Sequence, residues 1–160
     1  MNKVAKNSIP VIRLTGYRVT DIQYKHYLDK GDFDAVFDET KSPSIKMKPT
    51  ISVDGATGQM RMTAHIVTKQ LRQIGDITIV GFFKFRDDVN EDSDKYRYLS
   101  VNGGAMVYPY LRATVSMLTA LDNPDTVLLP TLNFDDTYKR FASEDNLQED
   151  GQSDQHDTDE

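Results

Sequence analysis

The chain has 160 residues, 25 Asp and Glu against 19 Lys and Arg, a formal charge of −6 and no cysteine. At this length one domain is the default. The composition excludes disulfides, thiol catalysis and thiolate metal sites, and no run approaches the ~20 apolar residues of a membrane-spanning helix.

The charge is unevenly placed. Glu144, Asp145, Glu149, Asp150, Asp154, Asp157, Asp159 and Glu160 are eight acids in a stretch without Lys or Arg, which leaves 17 acids against 19 bases in residues 1–143. The body is close to neutral. A tail with so few apolar side chains cannot offset its ordering entropy, so residues 143–160 are expected to be disordered, with solubility as their simplest role. Residues 1–9 are expected to be a flexible N-terminus. Met1 to Ser8 carries two Lys but no apolar run behind them, unlike a secretory signal. Residues 10–142 form the single expected domain.

Taken in order, Ile9 to about Leu28 reads as a long strand. Its alternation changes phase twice, from Ile12-Leu14 to Tyr17-Val19 and again to Ile22-Tyr24. A phase change in a strand means a bulge, and Gly16 is a natural place for one. Asp29 to Pro43 reads as a loop, in which Phe33, Val36 and Phe37 have the spacing of a short helical turn. Ser44 to Val53 alternates cleanly, with Ile45, Met47, Pro49, Ile51 and Val53 on one side and Lys46, Lys48, Thr50 and Ser52 on the other. Pro49 cannot donate to a ladder, which predicts an edge strand or a bulge. Asp54 to Gly58 is a hairpin loop. Gln59 to Leu71 is a third strand, Met60, Met62, Ala64 and Ile66 inward, and Arg61, Thr63 and His65 outward. Arg72 to Asp76 reads as a turn. Ile77 to about Arg86 is a fourth strand, with Phe83 and Phe85 on its core side and Val80 and Phe82 making the opposite side partly apolar.

Asp87 to Lys95 reads as a solvated charged loop, since the glycine and distal Glu of a calcium-binding loop are missing. Pro109 to Leu121 is helical, Pro109 suiting a first-turn position where its missing N–H is no loss. Val107, Leu111, Val115, Leu118 and Leu121 form one apolar stripe. Met106, Tyr110, Ala113, Met117 and Ala120 form a second, and only Arg112, Ser116 and Thr119 make a polar line. Two stripes imply either a wide single core face or a helix covered on both sides. In a chain this small the second cover is most simply another subunit. Asp122 to Asp125 breaks the helix. Val127 to Phe134 is an extended apolar link that cannot be helical through Pro130, and a shorter amphipathic helix runs from Asp135 to about Ala142. The fold class is thus α+β, a four-stranded antiparallel sheet with one long and one short C-terminal helix.

Chemistry-bearing patterns are sparse. His26, His65 and His156 are the only histidines, with His65 on a polar strand face and His156 in the tail. No serine sits in a nucleophile elbow, and Gly103-Gly104 lacks the Lys or third Gly of a phosphate loop. No basic patch is interleaved with aromatics, which argues against nucleic acid. Neither an enzyme, a metal site nor a cofactor is expected. Apolar surface, strands and a tail point to a binding protein.

Two motifs sharpen this. Val107-Tyr108-Pro109-Tyr110-Leu111-Arg112, followed by Leu129-Pro130-Thr131-Leu132-Asn133-Phe134-Asp135, resembles the SecB family of protein-export chaperones. That family has an aromatic-Pro-Tyr-x-Arg start to its long helix and an extended link running into Asn-Phe-Asp. Tyr17 to Tyr24, with Asp21-Ile22, is similar to the family's first strand. The resemblance spans roughly residues 10–142, and its specific part is 107–138. It implies a cytoplasmic, ATP-independent holdase for unfolded or slowly folding chains, assembled as a dimer of dimers through the long helices. Met106, Tyr110, Ala113 and Met117 are then the oligomer interface. The implied peptide groove comprises Phe83 and Phe85 of the fourth strand, Leu128, Leu129, Leu132 and Phe134 of the link, and Tyr138 and Phe141 of the last helix. Ordinary core packing is the alternative for each of these. The family docks the SecA motor on an acidic sheet surface. Asp21 matches one such position, but Lys25 stands at the next. A dedicated chaperone for one client, such as an antitoxin, and a small-molecule binder on an α+β sheet therefore remain open beside an unfolded preprotein and the export motor.

Overall fold

The structure, a computed structural model, describes residues 9–122 and 124–149, without the side chains of Phe141 and residues 144–149. Four strands, β1 (Ile12–His26), β2 (Ser44–Ile51), β3 (Thr57–Thr68) and β4 (Gln73–Phe85), form one antiparallel sheet in the order β1-β4-β3-β2. The α+β reading stands, with the edge position of β2 following from Pro49. β1 pairs with β4 through two register shifts, at Leu14/Gly16 and at Val19/Asp21. These are the two phase changes visible in the sequence. Each bulge returns the apolar residues of β1 to one face, so Ile12, Leu14, Tyr17, Val19, Ile22 and Tyr24 all lie on the side where Ile77, Ile79 and Phe83 lie on β4.

β4 starts earlier than the sequence suggested. Residues 73–76, read as part of a turn, are paired strand, and the turn is tighter. Arg72 carries its left-handed residue at φ 51°. The Arg72 guanidinium and carbonyl both bond the Tyr27 backbone at 2.9 Å, so tertiary contacts hold this backbone in place.

Helix α1 (Lys30–Val36) is the short turn expected around Phe33. Phe33 is buried and stacks on Phe37, while Val36 is exposed. The stretch read as a charged loop is in its second half α2 (Asp92–Tyr98). Its acids lie in the first turn and its bases in the last, the arrangement that suits a helix dipole. A π-helical turn, Leu99–Gly103, joins it without a break to α3 (Gly104–Ala120). Pro109 therefore sits inside α3 rather than in its first turn, where it removes one backbone bond to the preceding turn. α4 (Phe134–Glu149) runs past Ala142. The N-terminus before Ile9 and the tail from Asp150, with His156, lie outside the described residues.

The core lies between one sheet face and α3. Met60, Met62, Ala64, Ile77, Ile79, Val107, Leu111 and Val115 are 0% exposed. Close approach explains the glycine pair that carries no phosphate motif. A Cβ on Gly104 would lie 2.7 Å from the Phe134 ring, and one on Gly103 would lie 3.3 Å from Phe83. The π turn thus passes between an aromatic ring from the sheet and one from the start of α4.

Candidate peptide-binding link and interface strip

The polar line of α3 does not face solvent. It is the rail that carries the link. Ser116 donates to the Val127 carbonyl at 3.1 Å, and Thr119 Oγ1 accepts from the Val127 N–H at 2.9 Å. Arg112 Nε donates to the Leu129 carbonyl at 3.1 Å, and the Tyr108 phenol donates to the Pro130 carbonyl. Four side chains, spaced by three or four residues along one helix face, bond the backbone of a strand-like segment that has no sheet partner. The buried Tyr108 phenol has its pKa raised by that burial. These bonds leave the side chains of the link to alternate. Leu129 turns inward at 6% exposed, while Leu128 turns outward at 70%. Asn133 then caps α4: its side-chain oxygen accepts from the Asp135 and Asp136 N–H groups, and its amide donates to Asp136 at 2.7 Å.

The residues expected to line a groove divide accordingly. Phe83, Phe85, Leu129 and Phe134 are buried in the core cluster. Phe134 packs edge-on against Tyr108. Leu132 and Tyr138 are half-buried and Leu128 is exposed. The Phe141 side chain lies outside the described residues. The link's backbone bonds α3 and its Leu129 and Leu132 pack on the core, so the large apolar side chain it leaves exposed is Leu128, with Tyr138 half-buried on α4 beyond it.

A second apolar surface lies on the other side of α3. Tyr110, Ala113 and Met117 are exposed and Met106 is half-buried. Leu121, placed by periodicity on the core stripe, is 87% exposed, because it follows the last helical residue at the C-cap. The strip continues onto β1. The Tyr17 ring stacks on Tyr110 at 4.1 Å, and Val19 and Ile22 stand bare beside them. Alternation alone could not show these β1 residues as uncovered, because it gives the face of a residue and not the reach of the helix over it.

Below this strip Asp122 ties the end of α3 to the sheet. One carboxylate oxygen accepts from Tyr24 at 2.9 Å, from Gln73 at 3.1 Å and from His26 at 2.6 Å. The donors, His26 first, hold the Asp122 carboxyl below the usual carboxylate range. Burial, then Asp122, pushes the Tyr24 phenol up to about 12. His65, read from sequence as exposed, is half-buried and bonds Asp76 at 2.8 Å. Asp21 is exposed on the outer sheet face, where Gln23 donates to it. Among the described residues no group of three or more His, Asp and Glu could hold a metal ion, and no helix is long and apolar enough to cross a membrane.

No family model matches the chain, and no curated protein matches it. Solved structures do. A SecB-like chaperone from Mycobacterium tuberculosis, solved with a peptide of the HigA1 antitoxin, superposes with a TM-score of 0.57 at 15% identity, over 76% of this chain and 88% of that one. A protein of unknown function from Streptococcus agalactiae superposes with a TM-score of 0.56 at 13% identity, over 75% of this chain and 97% of that one. The fold of the chain is SecB-like.

Proposed function

We propose that this protein is a nucleotide-independent holdase chaperone, not an enzyme, that binds non-native polypeptide in the cytoplasm as an oligomer. The observation that carries the reading is the link. Its backbone is held by α3, so Leu128 stands bare on it, with Leu132 half-buried against the core further along the link and Tyr138 half-buried on α4 just after it. The likeness in fold to a chaperone solved with a client peptide supports it. Each large apolar client side chain buried there would contribute about 1.5–3 kcal/mol, and several together can exceed the ordering cost of the client. The strip of Tyr17, Val19, Ile22, Tyr110, Ala113 and Met117 supports self-association, most simply as a dimer of dimers.

Of the two client readings, one dedicated polypeptide is favoured over general export through the SecA motor. Asp21 and Asp76 are the acids on the outer sheet face, and Lys25 and other cations surround them. A partner that reads an acidic surface would find little there. The deciding experiment incubates the protein with a chemically denatured client, without nucleotide, and follows light scattering. Delayed aggregation that weakens on Leu128→Ser, at an exposed residue, supports the holdase. Co-purification of one partner from the native host, with no binding to the export motor, supports the dedicated form. Binding of neither an unfolded chain nor a partner would turn the reading toward a small-molecule binder.

A further inference from the structure

On the sheet face that α3 does not cover, the ladder sets cations in register. One row of partners crosses all four strands as Lys48, Arg61, Val80 and Arg18. The next row is Thr50, Gln59, Phe82 and Gly16, and the one beyond it is Thr57, Lys84 and Arg13. These three rows hold five cations and no acid. All five are exposed, and among the described residues none is in an ion pair. The acids of this face, Asp21 and Asp76, stand in the rows on the other side of Val80, bonded to Gln23 and His65. Asp54 and Asp87 lie in the loops beyond Lys84. Two register pairs set like charges directly opposite, Lys48 with Arg61 and Arg13 with Lys84. Like charges so placed destabilise a sheet. Elsewhere in the same face the pairing is complementary, since His65 and Asp76 are in register and bond at 2.8 Å. Among the described residues no acid relieves the repulsion of the cationic rows. Val80 is only 3% exposed although its face is open. Its register neighbours on both sides are arginines, whose apolar stems can lie over it while the guanidinium groups stay in water.

We propose that this half of the face docks an acidic segment of a partner polypeptide, its carboxylates paired with Lys48, Arg61 and Arg18. Charge complementarity carries the choice. Arginine forks match carboxylates in bidentate pairs. Strands about 4.8 Å apart bring Lys48 and Arg61 within reach of alternate side chains of one extended segment. A single-stranded nucleic acid would need aromatic rings to stack on, and Phe82, the one aromatic residue of the three rows, is half-buried. An interfacial membrane contact combines cations with apolar side chains that enter the headgroup layer, and Val80 is covered. The contact also removes the like-charge repulsion that the register builds into the sheet. It lies across the sheet from α3 and does not depend on the holdase reading.

The test measures binding of a fluorescent poly-glutamate peptide to the full chain, by anisotropy at low salt. The protein has a formal charge of −6, so capture of a polyanion reports a local patch and not net attraction. Lys48→Gln with Arg61→Gln should weaken binding about tenfold, the scale of two exposed charge pairs, with circular dichroism unchanged. Lys30→Gln with Lys139→Gln removes the same charge from other exposed positions and should leave binding nearly unchanged. Salt of roughly 0.5 M should suppress binding by screening. Absence of poly-glutamate binding, or an equal loss in the two double variants, would overturn the proposal. Tighter binding of oligothymidylate or of phosphatidylglycerol vesicles, abolished by Lys48→Gln with Arg61→Gln, would overturn it in favour of nucleic acid or membrane. No denatured client is present, so failure here leaves the chaperone reading to its own experiment.

Discussion

Two neighbouring halves of one sheet face have opposite fates. On β4, Ile77 and Ile79 are 0% exposed. Their register partners across the ladder, Ile22 and Val19 on β1, point to the same side and are 48% and 42% exposed. The residue types barely differ. What differs is the cover: α3 lies over β3 and β4 and meets β1 at its rim, where Tyr110 stacks on Tyr17. Apolar identity and alternation determine which way a side chain points, and the placement of one helix determines whether that side chain becomes core or interface.

The comparison breaks most forcefully on the covered half. Ile79→Ala should cost about 2–5 kcal/mol, since it removes buried methyl groups and leaves a cavity beneath α3. Val19→Ala, directly opposite in register, should change the stability of an isolated subunit by well under that. Urea unfolding at low protein concentration measures both. A Val19 loss as large as the Ile79 loss would mean that β1 is core after all.

On the bare half, the expected readout is assembly. Met117→Glu places a charge in the strip that continues from Tyr110 to Val19, and a charge left unpaired in an apolar interface is costly. Size exclusion with light scattering should show the wild type as an oligomer and the variant as a smaller species with its circular dichroism retained. A wild type that runs strictly as a monomer at micromolar concentration would remove the reason to treat this strip as an interface.

The same in-and-out logic applies to the link. Leu129→Ser would damage the core, because Leu129 is buried, so it is a poor probe of client binding. Leu128→Ser, one residue away and exposed, should leave the melting temperature within about 1 °C, as surface substitutions do. It should still weaken the delay in client aggregation. Equal effects of Leu128→Ser and Leu129→Ser on stability would contradict the alternation seen here.

Much of this was legible in the sequence for a physical reason. The two phase changes in β1 read out its two bulges, since a period-2 pattern can shift only by gaining a residue. Pro49 placed β2 at an edge. The residues missed share a different feature: their role depends on partners far away in sequence. Arg112, Ser116 and Thr119 looked like a solvent face because they are polar. They are polar because they bond the carbonyls and an N–H of a link that arrives later in the chain. Asp92–Tyr98 was hidden inside a run of charges, although its acid-first, base-last order was a helix signal in plain view. Pro109 misled because a proline inside a helix is costly and rare, and the π turn ahead of it has no period-3.6 signature to give it away. The cations of the outer sheet face were scattered over four strands, one to three on each, so no stretch of sequence looked basic.

The smallest expected effect concerns the latch where both halves of the face end. Asp122 accepts from His26, Tyr24 and Gln73, and so joins α3 to the first residues of β4 and the last of β1. The folded state holds the Asp122 carboxyl below its ordinary value, chiefly through His26. At acid pH the unfolded chain therefore takes up this proton before the folded chain does. The contribution of the carboxylate is fully present above about pH 4, the usual Asp value, and fades as pH falls through the depressed folded one. Asp122 is partly exposed, so the effect is modest. Asp122→Asn keeps an acceptor oxygen but not the charge. Its urea midpoint should lie slightly below the wild type at pH 7, with the gap narrowing as the pH falls below the usual Asp value and through the depressed one. Ile79→Ala, which has no titrating group, should keep a constant offset across the same range. A gap between wild type and Asp122→Asn that stayed constant from pH 7 to pH 3 would assign the loss to packing at the helix end rather than to the charge.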